Sequence, residues 1–142
     1  MRSLLSILLL LILWMPTQAQ QIKKPAPCPV TALPFTTGEM QDIFDTYNRQ
    51  YWDGKLPKTH VIWTALSKRY GETVKENDGS FTIKLDVTSN ALPNVAKTTL
   101  LHEMCHVKTW GESCHIGTQG DCTRWLRELH RIMLEGAFDD IV

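Results

Sequence analysis

The sequence predicts a small α+β domain: about three helices and a roughly three-stranded, mostly antiparallel sheet, with the chemically richest helix in the middle. Three observations predict it. Apolar residues recur at helical spacing in three separate stretches. They alternate at period two in "SFTIKLDV", between the first and second of those stretches. An Asn-Asp-Gly turn, Asn77–Gly79, stands just before that alternating run. A chain of 142 residues has room for one such domain.

The elements follow in order. "MRSLLSILLLLILWMPTQAQQ" has a positive start, an unbroken apolar core from Ile7 to Met15, and small or polar residues around Ala19. This is the pattern of a secretory signal over residues 1–19, cleaved after Ala19. The apolar run is too short for the ~20 residues that span a bilayer, so no stable membrane anchor is expected once it is removed. Residues 20–35 are polar and proline-rich and read as an extended linker. The folded domain is expected over residues 36–142. It opens on a capping box, Thr36 with Glu39, followed by Met40, Ile43, Phe44, Tyr47 and Tyr51 at helical spacing. Gly54 and Pro57 end that helix. "HVIWTAL" (His60–Leu66) has strand composition, a short strand is expected near Glu72–Lys75, and "SFTIKLDV" presents Phe81, Ile83, Leu85 and Val87 on one face. Asn94 is placed to cap a second helix running through Trp110 to Gly111. A third helix follows Asp121, with Trp125, Leu129, Ile132, Met133 and Gly136 on its apolar side.

Export places Cys28, Cys105, Cys114 and Cys122 in an oxidising compartment, periplasmic or extracellular. Four cysteines allow three complete pairings. A Cys114–Cys122 disulfide would clip a short loop, whereas Cys105 inside the second helix reads equally well as a small buried thiol. Lys and Arg number 15 and so do Asp and Glu, and no basic run marks a nucleic-acid or anionic-membrane surface. Nucleic acid is therefore not the expected partner; a protein or peptide is.

The second helix carries His-Glu-x-x-His. His102 and His106 stand four residues apart, so both imidazoles project from one helix face, one turn apart. That spacing lets two nitrogens meet one zinc ion at ~2.0–2.1 Å each. Glu103 lies about 100° round the helix from His102, placed to act as a general base on water at the metal. Ala96, Leu100, Met104 and Val107 form an aliphatic stripe roughly opposite the histidines, which leaves these facing a cleft. A catalytic zinc usually takes three protein ligands and keeps one open position. Two residues can complete the set. His115 lies in the loop after the helix, and Asp121, itself a favoured helix cap, falls on the inward phase of the third helix. By residue type alone, Tyr51, Arg69, Tyr70 and His130 are possible oxyanion partners, and Trp52, Trp63 and Trp110 read as core or cleft wall.

These residues resemble the SprT-like zinc metallopeptidases, the SprT and Spartan type. The resemblance runs from about Met40 to Ile132. It is carried, in the same order as in that family, by "YNRQYWDGKLP", "VIW", Gly71, "TIKLDV" and, most specifically, "TLLHEMCHV". It implies a zincin-like fold and one Zn2+ held by His102 and His106. It also implies peptide-bond hydrolysis with Glu103 as the base. In that family the third ligand is a histidine within a His-Gly-x-x-aromatic pattern at the start of the last helix. Setting the aromatic on Trp125 puts Asp121-Cys122 where His-Gly is expected. Asp121 is then the implied third ligand, with His115 as the alternative and a poorly binding site as the third possibility.

The expected function is an exported zinc endopeptidase. Two other readings stay open: a catalytically impaired module that keeps the fold and binds proteins or peptides, and a DNA-associated protease if the N-terminus is not a signal peptide.

Overall fold

The computed structural model describes residues 32–111, 123–139 and 141. Among these residues the elements are α1 (Thr37–Trp52), β1 (Thr59–Thr64), β2 (Gly71–Lys75), β3 (Phe81–Asp86), α2 (Pro93–Lys108) and α3 (Thr123–Leu134). The expected signal peptide, most of the linker, and Cys28, Cys114 and Cys122 lie outside the described residues.

The capping box forms as the sequence predicts. The Thr36 hydroxyl accepts from the Glu39 backbone N–H at 3.2 Å, and the Glu39 carboxylate accepts from the Thr36 N–H at 2.7 Å. Two otherwise orphaned donors at the start of α1 are thereby satisfied. At the other end Asp53 and Gly54 take positive φ values, 54° and 71°, and the Gly54 N–H closes onto the Asn48 carbonyl at 2.9 Å.

The sheet differs from expectation in one respect. It is mixed, in the order β1-β3-β2, with β2 antiparallel to β3 and β1 parallel to it. Sequential strands pair more often than not, and the hairpin at Asn77–Gly79 does join β2 to β3. The segment 65–70, however, carries the chain over the C-terminal end of β3, a step of two strand spacings, about 10 Å. Asp86 fastens this crossover. Its carboxylate accepts from the backbone N–H of Leu66 (2.7 Å), Ser89 (2.7 Å) and Thr88 (3.1 Å), and its own N–H donates to the Tyr70 carbonyl at 2.9 Å. These donors outweigh the desolvation of Asp86 and hold its carboxyl below the usual range. Asn90, fully buried, adds a second tie by donating to the carbonyls of Tyr70 (2.8 Å) and Asp86 (2.9 Å).

All three helices contribute to one core on one face of this sheet. Val61, Phe81, Ile83 and Leu85 point inward from the strands and meet Met40 and Phe44 of α1, Ala96, Leu100, Met104 and Val107 of α2, and Ile132 of α3. The predicted aliphatic stripe of α2 is therefore buried, at 0–3 % exposure. Leu100, Met104 and Val107 each contribute about 1.5–3 kcal/mol on burial. Cys105 joins them as a buried free thiol, pushed up to about 12 by desolvation and then by Glu128. That makes it a packing residue rather than a nucleophile.

Two helix boundaries and one buried face differ from the sequence reading. α2 begins at Pro93, with Leu92 as its cap and no side-chain cap bond, so Asn94 lies inside the first turn. Proline is suited to that first position, where its missing N–H would be unpaired in any case. The helix ends at Lys108 rather than Trp110, because Thr109 leaves the helical dihedrals (φ −105°, ψ 18°), while its N–H and hydroxyl both still donate to the Cys105 carbonyl (3.0 and 2.8 Å). On α3, Met133 is 52 % exposed. The inward stripe of that helix is the narrower set of Trp125, Leu129 and Ile132.

α3 is anchored to α1 by a polar network. Glu128 accepts from the Trp52 indole N–H and from Arg131, both at 2.6 Å, while Arg131 also donates to the Tyr51 carbonyl at 2.9 Å. This network fixes the middle of α3 against α1, and about one turn earlier the helix's aromatic residue meets the histidines.

Candidate metal centre

α2 packs over β2 and β3, so one of its sides looks onto the inward face of the edge strand β2. The register aligns Gly71 with Leu85 and Thr73 with Ile83, which gives Gly71 and Thr73 the core-facing positions of β2. Neither is a large apolar residue. The space and the hydrogen bond they provide are both taken by Glu103.

Glu103 is 6 % exposed, and its carboxylate accepts from the Thr73 hydroxyl at 2.7 Å. The same hydroxyl lies 3.2 Å from the Glu103 carbonyl, so one β2 side chain registers both backbone and side chain of this residue. A Cβ on residue 71 would come within 2.7 Å of Glu103 Oε1 and 2.9 Å of Thr99 Cγ2. Glycine is thus required there by proximity. Desolvation pushes the Glu103 carboxyl up to about 6, opposed by the Thr73 hydrogen bond and reinforced by Glu72. A carboxyl tuned toward neutrality suits a group that must accept and return a proton.

His102 and His106 face the same side of α2, with their Nε2 atoms 3.3 Å apart. Two nitrogens each ~2.0–2.1 Å from a tetrahedral ion stand about 3.3–3.4 Å apart. Their spacing is thus already that of two ligands to one metal. Desolvation lowers the pKa of both rings, that of His106 to about 4 with help from His102. Both imidazoles are therefore neutral near pH 7, the state in which histidine binds metal.

Trp125 completes the arrangement; the sequence set it on the apolar side of α3 and, through the resemblance, on the aromatic of the family pattern, but gave it no contact with the histidines. Its ring stacks on His106 (centroids 5.3 Å apart, planes 23°) and lies edge-on to His102 (4.6 Å, 60°), while its indole N–H reaches the His102 carbonyl at 3.4 Å. Trp125 therefore limits the rotation of both rings. Groups that orient metal-binding histidines typically contribute 10–100-fold in metal affinity. Trp125→Ala is accordingly expected to weaken zinc binding at least about tenfold, together with a lower melting temperature of the metal-free protein, because the ring also packs against the core. Competition titration with a chromophoric chelator measures the first and circular dichroism the second.

Among the described residues no third His, Cys, Asp or Glu joins the histidines in a metal-binding group. Both candidates for that position, Asp121 and His115, lie outside the described residues. Of the other residues singled out by type, Arg69 and Tyr70 border the same recess as His102 and Glu103. Tyr51 and Trp52 are buried in the core, Trp63 is half-buried, and His130 and Trp110 are exposed.

The donor set fits a zinc ion at two of its positions: neutral imidazoles at the right separation, with an oriented carboxylate beside them. The comparison with known proteins agrees with this chemistry. No curated protein matches the chain. The family model for the SprT-like family matches residues 40–133, from the first buried residue of α1 to the last turn of α3, with the whole His-Glu-x-x-His segment inside the match. The chain belongs to the SprT-like family, which is associated with zinc-metallopeptidase-like proteins.

Proposed function

We propose that this chain is an exported zinc-dependent endopeptidase that acts on protein or peptide substrates in the periplasm or outside the cell. The observation that carries the reading is the pairing of two imidazole nitrogens 3.3 Å apart with a buried carboxylate fixed by Thr73. A zinc ion bound there would supply Lewis-acid polarisation of the scissile carbonyl and make a water molecule easier to deprotonate.

The chain's own residues supply the rest. His102 and His106 offer their Nε2 lone pairs, and Trp125 holds the rings in place. The Glu103 carboxylate takes the proton of the attacking water and later delivers it to the leaving amine nitrogen. Asp121 is the proposed third ligand, with His115 as the alternative. Two points support Asp121: in the sequence it stands two residues before Thr123, the first described residue of α3, and the first described turn of that helix brings Trp125 onto the histidines. The signal-like residues 1–19 and the even balance of 15 basic and 15 acidic residues favour an exported peptide substrate over a nucleic-acid-bound one.

Asp121-Cys122 in place of His-Gly favours one second reading, a protein-binding module with impaired metal chemistry. Casein digestion separates the two. The enzyme cleaves it, loses activity to a chelator and regains it with added zinc. A module leaves casein intact at every zinc concentration.

A further inference from the structure

A recess of about 650 Å³ opens beside Glu103, within the size range of ligand-binding pockets. Its walls are mostly apolar. Val95 and Thr98 come from the N-terminal half of α2, Tyr70 from the segment before β2, and Phe138 and Ile141 from the turns after α3. His102 and Glu103 border the same space, so the recess is continuous with the candidate centre.

Val95, Thr98 and His102 lie on one stripe of α2, at i, i+3 and i+7. With a rise of about 1.5 Å per residue, Thr98 and Val95 stand about 6 and 10 Å before His102 along the helix axis. An extended peptide advances about 3.3–3.6 Å per residue. A substrate with its scissile bond at the histidines and its chain extended along α2 would therefore place a side chain in the recess one to three residues away. Arg69 at the rim is already paired with Glu72 at 2.8 Å, which leaves the walls to select for apolar bulk rather than for charge.

We propose that this recess is a specificity subsite for one bulky apolar side chain (Phe, Leu, Met or Trp) of the peptide substrate, one to three residues from the bond that is cut. The proposal rests on the proteolytic reading above and names the substrate class for that site. Phe138 and Ile141 make the segment after α3 part of the substrate-binding surface.

The test uses the full chain carrying Glu103→Gln, which binds without cutting. Fluorescein-labelled Gly/Ser peptides carrying either one Phe or one Ala are titrated onto it by anisotropy. The Phe peptide is expected to bind at least about tenfold tighter, the discrimination an apolar pocket usually gives. Thr98→Trp fills the recess from an exposed helix position and should collapse that ratio toward one. Phe138→Ala, which widens the recess, should lower it. Equal binding of the two peptides, or a ratio untouched by both variants, overturns the proposal. Mapping wild-type cuts in denatured casein by mass spectrometry separates this inference from the enzymatic one. Cuts with no apolar preference at a fixed position sink the subsite and leave the protease. Phe-selective binding without any cutting sinks the protease and leaves the subsite.

Discussion

Glu103→Gln is expected to lower peptide cleavage by roughly 10²–10⁴-fold, with zinc content unchanged. The amide keeps the size of the carboxyl group and can still accept from the Thr73 hydroxyl, now 2.7 Å from the carboxylate. It cannot take a proton from water. A second consequence separates this role from a structural one. Glu103 is 6 % exposed, and a buried carboxylate is costly to desolvate. Removing the charge while keeping the shape should therefore leave the metal-free protein at least as stable as wild type. Initial rates on a quenched fluorescent peptide and thermal melts of the chelator-treated proteins measure the two effects. A variant that cuts at the wild-type rate removes Glu103 from the chemistry. One that melts well below wild type makes it a structural residue.

Gly71→Ala is expected to be nearly as damaging, although it adds one methyl group on an edge strand. The added Cβ would lie 2.7 Å from Glu103 Oε1, 2.9 Å from its Cγ and 2.9 Å from Thr99 Cγ2. Glu103 cannot swing aside without breaking its bond to Thr73, and Thr99 sits within α2. Overpacking of this kind costs about 1–3 kcal/mol. A misplacement of about 1 Å at a reacting group can cost about 10² in rate. The stability loss should shrink in a Glu103→Ala background, where two of the three close contacts disappear. A double-mutant cycle reads that coupling directly. Equal destabilisation in both backgrounds would mean that the glycine serves the strand rather than the carboxylate.

Much of this was legible in the sequence, because the features concerned are local. The capping box needs residues three apart, the stripe of α2 needs residues three and four apart, and the hairpin is written in Asn77–Gly79. The pairing of β1 with β3 was not legible. It depends on the crossover held by Asp86, a residue that the alternation of "SFTIKLDV" puts in phase with Thr82 and Lys84, so that it reads as an ordinary outward charge rather than a fastener. The site divides in the same way. His102, Glu103 and His106 stand out by spacing on one helix. Thr73 and Trp125 act across 30 and 23 residues of chain, and only the register of β2 and the seating of α3 bring them in. One signal for Thr73 was available: the inward positions of "GETVK" are Gly71 and Thr73, which is poor core for a strand that must bury one face. An edge strand that gives up its apolar face has something polar to hold.

Peptide hydrolysis at this site requires that His102 and His106 hold zinc beside Glu103, and the metal content of purified protein tests this most directly. Elemental analysis of wild type, His102→Ala, Asp121→Ala and His115→Ala, prepared side by side, is predicted to give one zinc per chain for wild type. His102→Ala should bind almost none, Asp121→Ala should lose most of its zinc, and His115→Ala should keep it. Wild type without zinc after zinc supplementation, or His102→Ala with full zinc, would contradict the account.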